Sequence, residues 1–286
     1  MQTDVAHLPL PEASEISGAP TLPAAWIAVG VAASLLVAGW IVVRRRAGLP
    51  VVAARPHDPV PWGGIDVLQV VLILLATAFA GEASLVSEAP LANQLAVRSL
   101  ATAVGTIFSM AYLCARGATL RDLGLADVRL RADLGLALAA LALVVAPVLA
   151  CAYLVSLLVP YEHHIVDLLR QQRGWSVLAI VILSAVVVAP VAEELFFRRV
   201  LQGWLEKRLP RADGGWAVAL AAVAFAAAHQ GQGLALVPLF PLALVLGHLV
   251  RRTGSIVPSI LLHALFNAVS LAILLLHTPG PTPPAG

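Results

Sequence analysis

The chain of 286 residues is 60% hydrophobic and only 12% charged, and its mean hydropathy is +0.90. A soluble domain is closer to half apolar and a quarter charged, so this composition excludes an ordinary soluble enzyme and predicts a polytopic membrane protein. The formal net charge of +2 says little by itself, and nothing in the composition points to a nucleic-acid partner.

Apolar segments long enough to span a membrane, at roughly 17–25 residues each, recur along the whole chain. We predict eight of them, at approximately 24–43, 64–81, 97–114, 134–159, 175–196, 214–230, 234–250 and 256–276. The fold predicted from this pattern is an all-α bundle of about eight transmembrane helices.

The charges predict how this bundle lies in the membrane. Residues 1–22 carry acidic groups and no Lys or Arg, unlike the basic start of a cleavable signal peptide, so we expect the first span to be a retained anchor. With the amino terminus outside, all basic residues except Arg98, Arg170 and Arg173 fall on the cytosolic side, which supports eight spans with both termini outside. The Ala-rich, Lys-poor composition favours a bacterial cytoplasmic membrane.

A pair of carboxylates stands near the end of the fifth predicted span, at Glu193 and Glu194. Ionisable residues inside a membrane are costly and by default mark a functional site. Residues at i and i+4 share a helix face, so Glu194 can pair with Arg198, while Glu193 points about 100° away around the axis. The spacing therefore predicts one neutralised carboxylate and one carboxylate that is free for chemistry.

Two further polar clusters lie in the later spans. Phe225 and His229 share one helix face, and His263 and Asn267 share a face of the last span. A single membrane histidine is often only a packing hydrogen-bonder. Several such groups in the same few helices all need partners, and we expect them to satisfy one another at one site.

Two chemical schemes fit these residues. In the first, Glu193 is a general base that takes a proton from water with help from His229, while His263 and Asn267 present N–H donors to a developing oxyanion. In the second, the Glu and His side chains bind a divalent metal, but the chain has no His-Glu-x-x-His helix. No serine lies in a nucleophile-elbow pattern. We therefore prefer the scheme without metal or cofactor.

Glu-Glu-x-x-x-Arg, Phe-x-x-x-His and His-x-x-x-Asn, on successive late helices, resemble the CAAX protease and bacteriocin-processing family (CPBP, also called Abi). The stretch 246–263 is also typical of that family, and the resemblance covers about residues 175–270. It implies an intramembrane glutamic endopeptidase with Glu193, His229, His263 and Asn267 as catalytic residues. It further implies that Glu194, Arg198 and Phe225 support the site.

The predicted organisation has four parts. Residues 1–22 form a disordered outer tail, 23–133 the first transmembrane helices with cytosolic loops, 134–277 the protease-like core and 278–286 a disordered tail. The catalytic core lies in the last four spans and faces the cytosol. Its substrate is a membrane-associated peptide or protein, with a prenylated CAAX-type protein as one form.

Other functions remain open at this point. A non-enzymatic scaffold or immunity protein of the same family is the main alternative, and a metal-dependent membrane protease is less favoured. A proton-relaying transporter is also less favoured, because the polar residues cluster near one side and no paired interrupted helices are seen in two halves.

One geometric conflict follows from the predicted spans. If the fifth span ends near residue 196 and residues 197–211 form a separate helix along the cytosolic interface, Glu193 and His263 lie roughly 8–12 Å from the cytosolic side. His229, counted from Gly214, lies about 22 Å deep. On these spans His229 is too deep to meet Glu193, and three arrangements would resolve the conflict: a helix that enters at an angle, a kink at Pro190, or a sixth span that starts higher.

Overall fold

The computed structural model describes residues 24–86, 89–156, 174–209, 215–230 and 236–277. In these ranges the chain forms eight helices: α1 (Ala24–Arg46), α2 (Gly64–Ser84), α3 (Leu91–Ala115), α4 (Leu130–Ser156), α5 (Trp175–Arg208), α6 (Gly215–Ala228), α7 (Leu236–Thr253) and α8 (Val257–His277). The predicted tails, 1–22 and 278–286, lie outside the described residues.

Seven of the described helices are long and apolar enough to cross a membrane, which confirms the prediction of an all-α, polytopic membrane bundle. The exception is α6, which has 14 residues. At 1.5 Å per residue it is about 21 Å long, shorter than the roughly 30 Å hydrocarbon core of a bilayer. The segment that we predicted as the sixth span is therefore a helix shorter than a membrane span, and it packs against α5 and α7.

Helix α5 is much longer than the predicted span, because it continues for 34 residues without a break. Its winding changes from α to π over Leu183–Val188 and again over Glu194–Gln202. The expected separate helix along the interface does not form, because Arg199 and Gln202 are buried in the bundle. Arg199 donates to the carbonyl of Asp122, and the Gln202 amide donates to the carbonyl of Gly247 at 3.0 Å.

Helices α6, α7 and α8 pack around α5. Helices α6 and α7 form an antiparallel pair, and α5 contacts α6, α7 and α8. On one side α4 packs against α7 and α8, and α1 packs against α4; on the other side α2 pairs with α3, which contacts α5. Buried aliphatic side chains fill the space between α4, α7 and α8, among them Val144, Leu246 and Leu262.

One end of the bundle, which we call the basic end, carries Arg44–Arg46, Lys207, Arg251 and Arg252. The connection between α1 and α2 lies across this end. Lys207 Nζ donates to the carbonyls of Val60, Pro61 and Trp62 at 3.1–3.3 Å, and Arg252 Nη2 donates to the carbonyl of Val52 at 2.9 Å. These bonds hold the amino-terminal part of the chain against α5 and α7.

Candidate active site

The two π-helical stretches of α5 lie on either side of Glu193, and Pro190 explains the first of them. A proline ring clashes with the carbonyl four residues earlier in an α-helix, here that of Val186, and proline also has no N–H to donate. The helix widens instead: the Ala189 N–H donates to the carbonyl of Ser184, five residues back. Single π turns of this kind occur frequently at functional sites.

Glu194 is completely buried, and its carboxylate is held from three directions. Arg198 Nε donates to Oε2 at 3.2 Å, the hydroxyl of Ser259 donates to the same oxygen, and His263 Nδ1 lies 3.0 Å from Oε1. A buried charge needs such partners to offset its lost hydration. Glu194 and Arg198 thus pair across one helical turn, and the same carboxylate also orients the ring of His263.

Glu193 has a different environment, although it is the next residue. Its side chain is 26% exposed, and its Oε2 lies 3.8 Å from Nε2 of His229 and 3.7 Å from Nε2 of His263. That oxygen is buried and forms no hydrogen bond within the described part of the chain. One carboxylate oxygen therefore faces two imidazole nitrogens at distances slightly beyond direct hydrogen bonding.

The orientation of His229 defines its tautomer. Its Nδ1 lies 2.8 Å from the carbonyl oxygen of Phe225, which can only accept, so Nδ1 carries the hydrogen. In the neutral ring Nε2 is then an acceptor, and it points toward Glu193. Each ring nitrogen has a separate function: Nδ1 anchors the ring to α6, and Nε2 faces the carboxylate.

The long α5 removes the conflict of depth raised by the sequence. Glu193 lies about 22 Å along α5 from Arg208, and His229 lies about 21 Å along α6 from Gly215, at 1.5 Å per residue. Since α5 and α6 follow one another in the chain and run in opposite directions, both side chains reach the same level. The predicted end of the fifth span near residue 196 was wrong, because the helix continues to Arg208.

The ring of Phe225 is fully buried and packs against His229, His263 and Arg198. Its ring centroid lies 4.7 Å from that of His229 and 5.7 Å from that of His263. The guanidinium carbon of Arg198 lies 4.6 Å from the ring centroid, a cation–π geometry, and Phe197 packs edge-on at 5.2 Å. Phe225 thus packs against both imidazole rings and against the guanidinium of Arg198.

Asn267 lies one turn beyond His263 on α8 and bonds to the backbone of α5. Its Nδ2 donates to the carbonyl of Ala185 at 2.8 Å. One hydrogen of the Asn267 amide is therefore used for the bond to Ala185, outside the group of Glu193, His229 and His263. The second amide hydrogen is left to donate to another acceptor.

Ser259 is a site residue that the sequence analysis missed. Its side chain is fully buried and donates to Glu194. The signal was available, because Ser259, His263 and Asn267 follow one another at intervals of four residues and so share one face of α8. Serine is common in membrane helices, so the residue type does not indicate a site. The indication is that Ser259 lies one helical turn before His263 on the same face of α8.

The arrangement can do acid–base chemistry. A partly exposed carboxylate beside two oriented imidazoles provides an acceptor for a proton and two rings that can accept or donate one. The neighbouring buried carboxylate, its arginine and the phenylalanine ring hold these groups in place. All of them come from α5, α6 and α8.

A family model described as "Type II CAAX prenyl endopeptidase Rce1-like" matches residues 174–269, about a third of the chain. The matched region spans α5, α6, α7 and α8 up to Val269, and it contains every candidate residue named above. This match confirms the resemblance that the three motifs indicated and supports a membrane protease. No curated protein and no solved structure matched the chain.

Proposed function

We propose that this protein is an intramembrane endopeptidase in which Glu193 and His229 activate a water molecule for attack on a peptide bond. The observation that carries the proposal is the position of Glu193 Oε2, buried, without a hydrogen bond in the described chain, and 3.8 Å from the acceptor nitrogen of His229. Two acceptors at this spacing can each lie about 2.8 Å from one water, which donates one hydrogen to each.

In this mechanism Glu193 takes a proton from the water while the water oxygen attacks the carbonyl carbon of the substrate. The carbonyl π bond opens and places a negative charge on the substrate oxygen. When the tetrahedral intermediate collapses, the C–N bond breaks and the leaving nitrogen receives the proton held by Glu193, with His229 assisting the transfer. The products are a new carboxyl terminus and a new amine, so atoms and charge balance.

His263 and Asn267 are the proposed donors to the oxyanion. Glu194 accepts the hydrogen of His263 Nδ1, which leaves Nε2 directed at the reaction site. With its Nδ1 hydrogen held by Glu194, the His263 ring donates from Nε2 when it carries a second proton, and the neighbouring carboxylates favour that charged form. Asn267 retains its second amide hydrogen for the same oxygen.

The match to prenyl endopeptidases and the position of the site inside the helix bundle favour a membrane-associated protein as substrate, with a prenylated, CAAX-type carboxyl terminus as one form. We propose that the basic end of the bundle lies in the cytosol. The support is that the connection between α1 and α2 and the ends of α5 and α7 bring their basic residues to the same end of the bundle.

The direct test is a Glu193→Gln variant, which keeps the shape of the side chain and removes the base. Protein termini in membranes of cells that express the wild type or the variant are compared by mass spectrometry. We expect a set of termini that is present with the wild type and absent with Glu193→Gln. Glu82→Gln is the matched control, because Glu82 forms an exposed ion pair with Arg98 far from this site along the chain.

The same experiment separates an enzyme from a scaffold. Termini that do not differ between the wild type and Glu193→Gln, together with an unchanged cellular phenotype, would contradict proteolysis and favour a protein that only binds a partner. Termini that also change in Glu82→Gln would show that the loss comes from general destabilisation.

A further inference from the structure

The carbonyl of Ala185 in α5 has lost both backbone donors that could reach it. In an α-helix it would accept from the N–H of Ala189, but that N–H donates to Ser184 instead. In the π register it would accept from residue 190, which is Pro190 and has no N–H. The register shift and the proline together leave this carbonyl without a donor from its own helix.

Asn267 supplies the missing donor from a different helix. Its Nδ2 lies 2.8 Å from the Ala185 oxygen, and the side chain is partly buried between α8 and α5. A carbonyl left unsatisfied inside a membrane bundle is destabilising, because no water reaches it to replace the lost bond. The amide of Asn267 therefore makes the π turn before Pro190 tolerable.

Helix α8 bonds to α5 on both sides of the catalytic carboxylate. On the amino-terminal side of Glu193, Asn267 donates to the carbonyl of Ala185. On the carboxyl-terminal side, Ser259 and His263 contact the carboxylate of Glu194. The segment between these two attachments contains Pro190 and Glu193. Its pitch sets the direction in which the Glu193 side chain leaves the helix, since each residue of an α-helix turns it by about 100° and a π turn changes that angle.

We propose that Asn267 is a positioning residue for Glu193: its bond to the Ala185 carbonyl stabilises the π turn that aims the Glu193 carboxylate between His229 and His263. This role deepens the proposed function and rests on it. It uses the first amide hydrogen of Asn267 and is distinct from donation to the oxyanion, which uses the second.

The test is a double-mutant cycle between Asn267→Ala and Pro190→Ala. Alanine at position 190 gives the Ala185 carbonyl a donor from its own helix in either register, the N–H of residue 190 in the π register or that of Ala189 in the α register, so it replaces the bond that Asn267 makes. The first readout is the thermal unfolding of the purified, full-length protein in detergent, which does not depend on activity. We expect Asn267→Ala to lower the melting temperature by several degrees in the wild-type background and by less than half as much in the Pro190→Ala background.

The second readout is cleavage of a farnesylated CAAX-type peptide. We expect Asn267→Ala to lower kcat by on the order of 100-fold with KM nearly unchanged, because a misplaced base affects chemistry and not binding. In the Pro190→Ala background the loss should be about tenfold smaller, the remainder being the contribution of Asn267 to the oxyanion site. Ser259→Ala is the control, because it removes a bond between the same two helices that does not involve Ala185, and its effect should be equal in both backgrounds.

Equal effects of Asn267→Ala on unfolding in both backgrounds would overturn the proposal, because the carbonyl would then not depend on Pro190. Coupling in unfolding without coupling in kcat would overturn the positioning role and leave only a structural bond. A wild-type protein that cleaves no peptide in the second readout, and shows no termini that depend on Glu193, would refute the proposed function. The unfolding cycle would still measure the bond between Asn267 and Ala185.

Discussion

The helices α1–α4 and the helices α5–α8 use their polar residues in opposite ways. In the first group the ion pairs lie toward helix ends and loops, as with the exposed pair of Glu82 and Arg98. In the second group, polar side chains lie inside the bundle and bond to one another, as with the fully buried pair of Glu194 and Arg198. The apolar window of α1 has no buried residues, whereas 44% of the α7 window is buried.

This difference supports placing the proposed reaction among α5, α6 and α8. A helix that faces lipid on most sides has no partners for charged groups, so α1 remains a span of apolar residues. Helix α5 packs against α6 and α8. The groups that these helices bring together, two carboxylates, two imidazoles and a guanidinium, can therefore stabilise one another inside the bundle. The family match falls on this second group alone.

Apart from the loss expected for Glu193→Gln, the largest expected effect in the second group is the fall in cleavage rate when His229 is replaced. Replacing His229 by Gln removes the acceptor nitrogen that faces Glu193 and should lower cleavage of a farnesylated CAAX-type peptide by about 10²–10⁴-fold, the usual contribution of a positioned acid–base group. Folding should persist, because the ring is at the end of α6 and, within the described residues, its hydrogen bond is to the Phe225 carbonyl one turn earlier. Cleavage rates and melting temperatures measured on the same samples check both statements. Retained cleavage would contradict the assignment.

The next effect compares two arginines directly. Arg198→Met leaves the buried Glu194 charge without its guanidinium and should lower the free energy of unfolding by about 3–5 kcal/mol. Arg98→Met, in the exposed pair with Glu82, should lower it by less than about 1 kcal/mol. Thermal or denaturant unfolding in one detergent gives both values. Similar losses for the two variants would remove the contrast between the two groups of helices.

The smallest expected effect concerns metal. Incubation with a chelator such as EDTA should leave the cleavage rate unchanged, because the proposed reaction uses a water held by Glu193 and His229. Loss of activity on chelation, with recovery on adding back a divalent ion, would favour the metal-dependent alternative.

Part of this architecture was accessible from the sequence. Composition and apolar segments gave the polytopic bundle, and the interval of four residues gave the pairing of Glu194 with Arg198. The meeting of His229 with Glu193 depends on a different property, the uninterrupted length of α5. Hydropathy places a helix end where charged residues begin, and here those residues, including Arg198 and Arg199, are buried in the bundle.

The bond between Asn267 and Ala185 could not be foreseen for a related reason. A side-chain motif shows which groups need partners, but a backbone carbonyl becomes a partner only when its own helix loses a donor. That loss depends on a π turn whose position is decided jointly by Pro190 and by packing against α8. Ser259, in contrast, lay in register with His263 and was detectable.

The central claim is that two adjacent carboxylates have different functions, Glu193 in chemistry and Glu194 in structure. The measurement that tests it most directly uses the purified protein in lipid vesicles, with wild type, Glu193→Gln and Glu194→Gln compared for cleavage of a farnesylated CAAX-type peptide and for melting temperature. We expect Glu193→Gln to melt as the wild type does and to cleave nothing detectable, and Glu194→Gln to melt at a clearly lower temperature. Cleavage by Glu193→Gln at the wild-type rate would contradict the account.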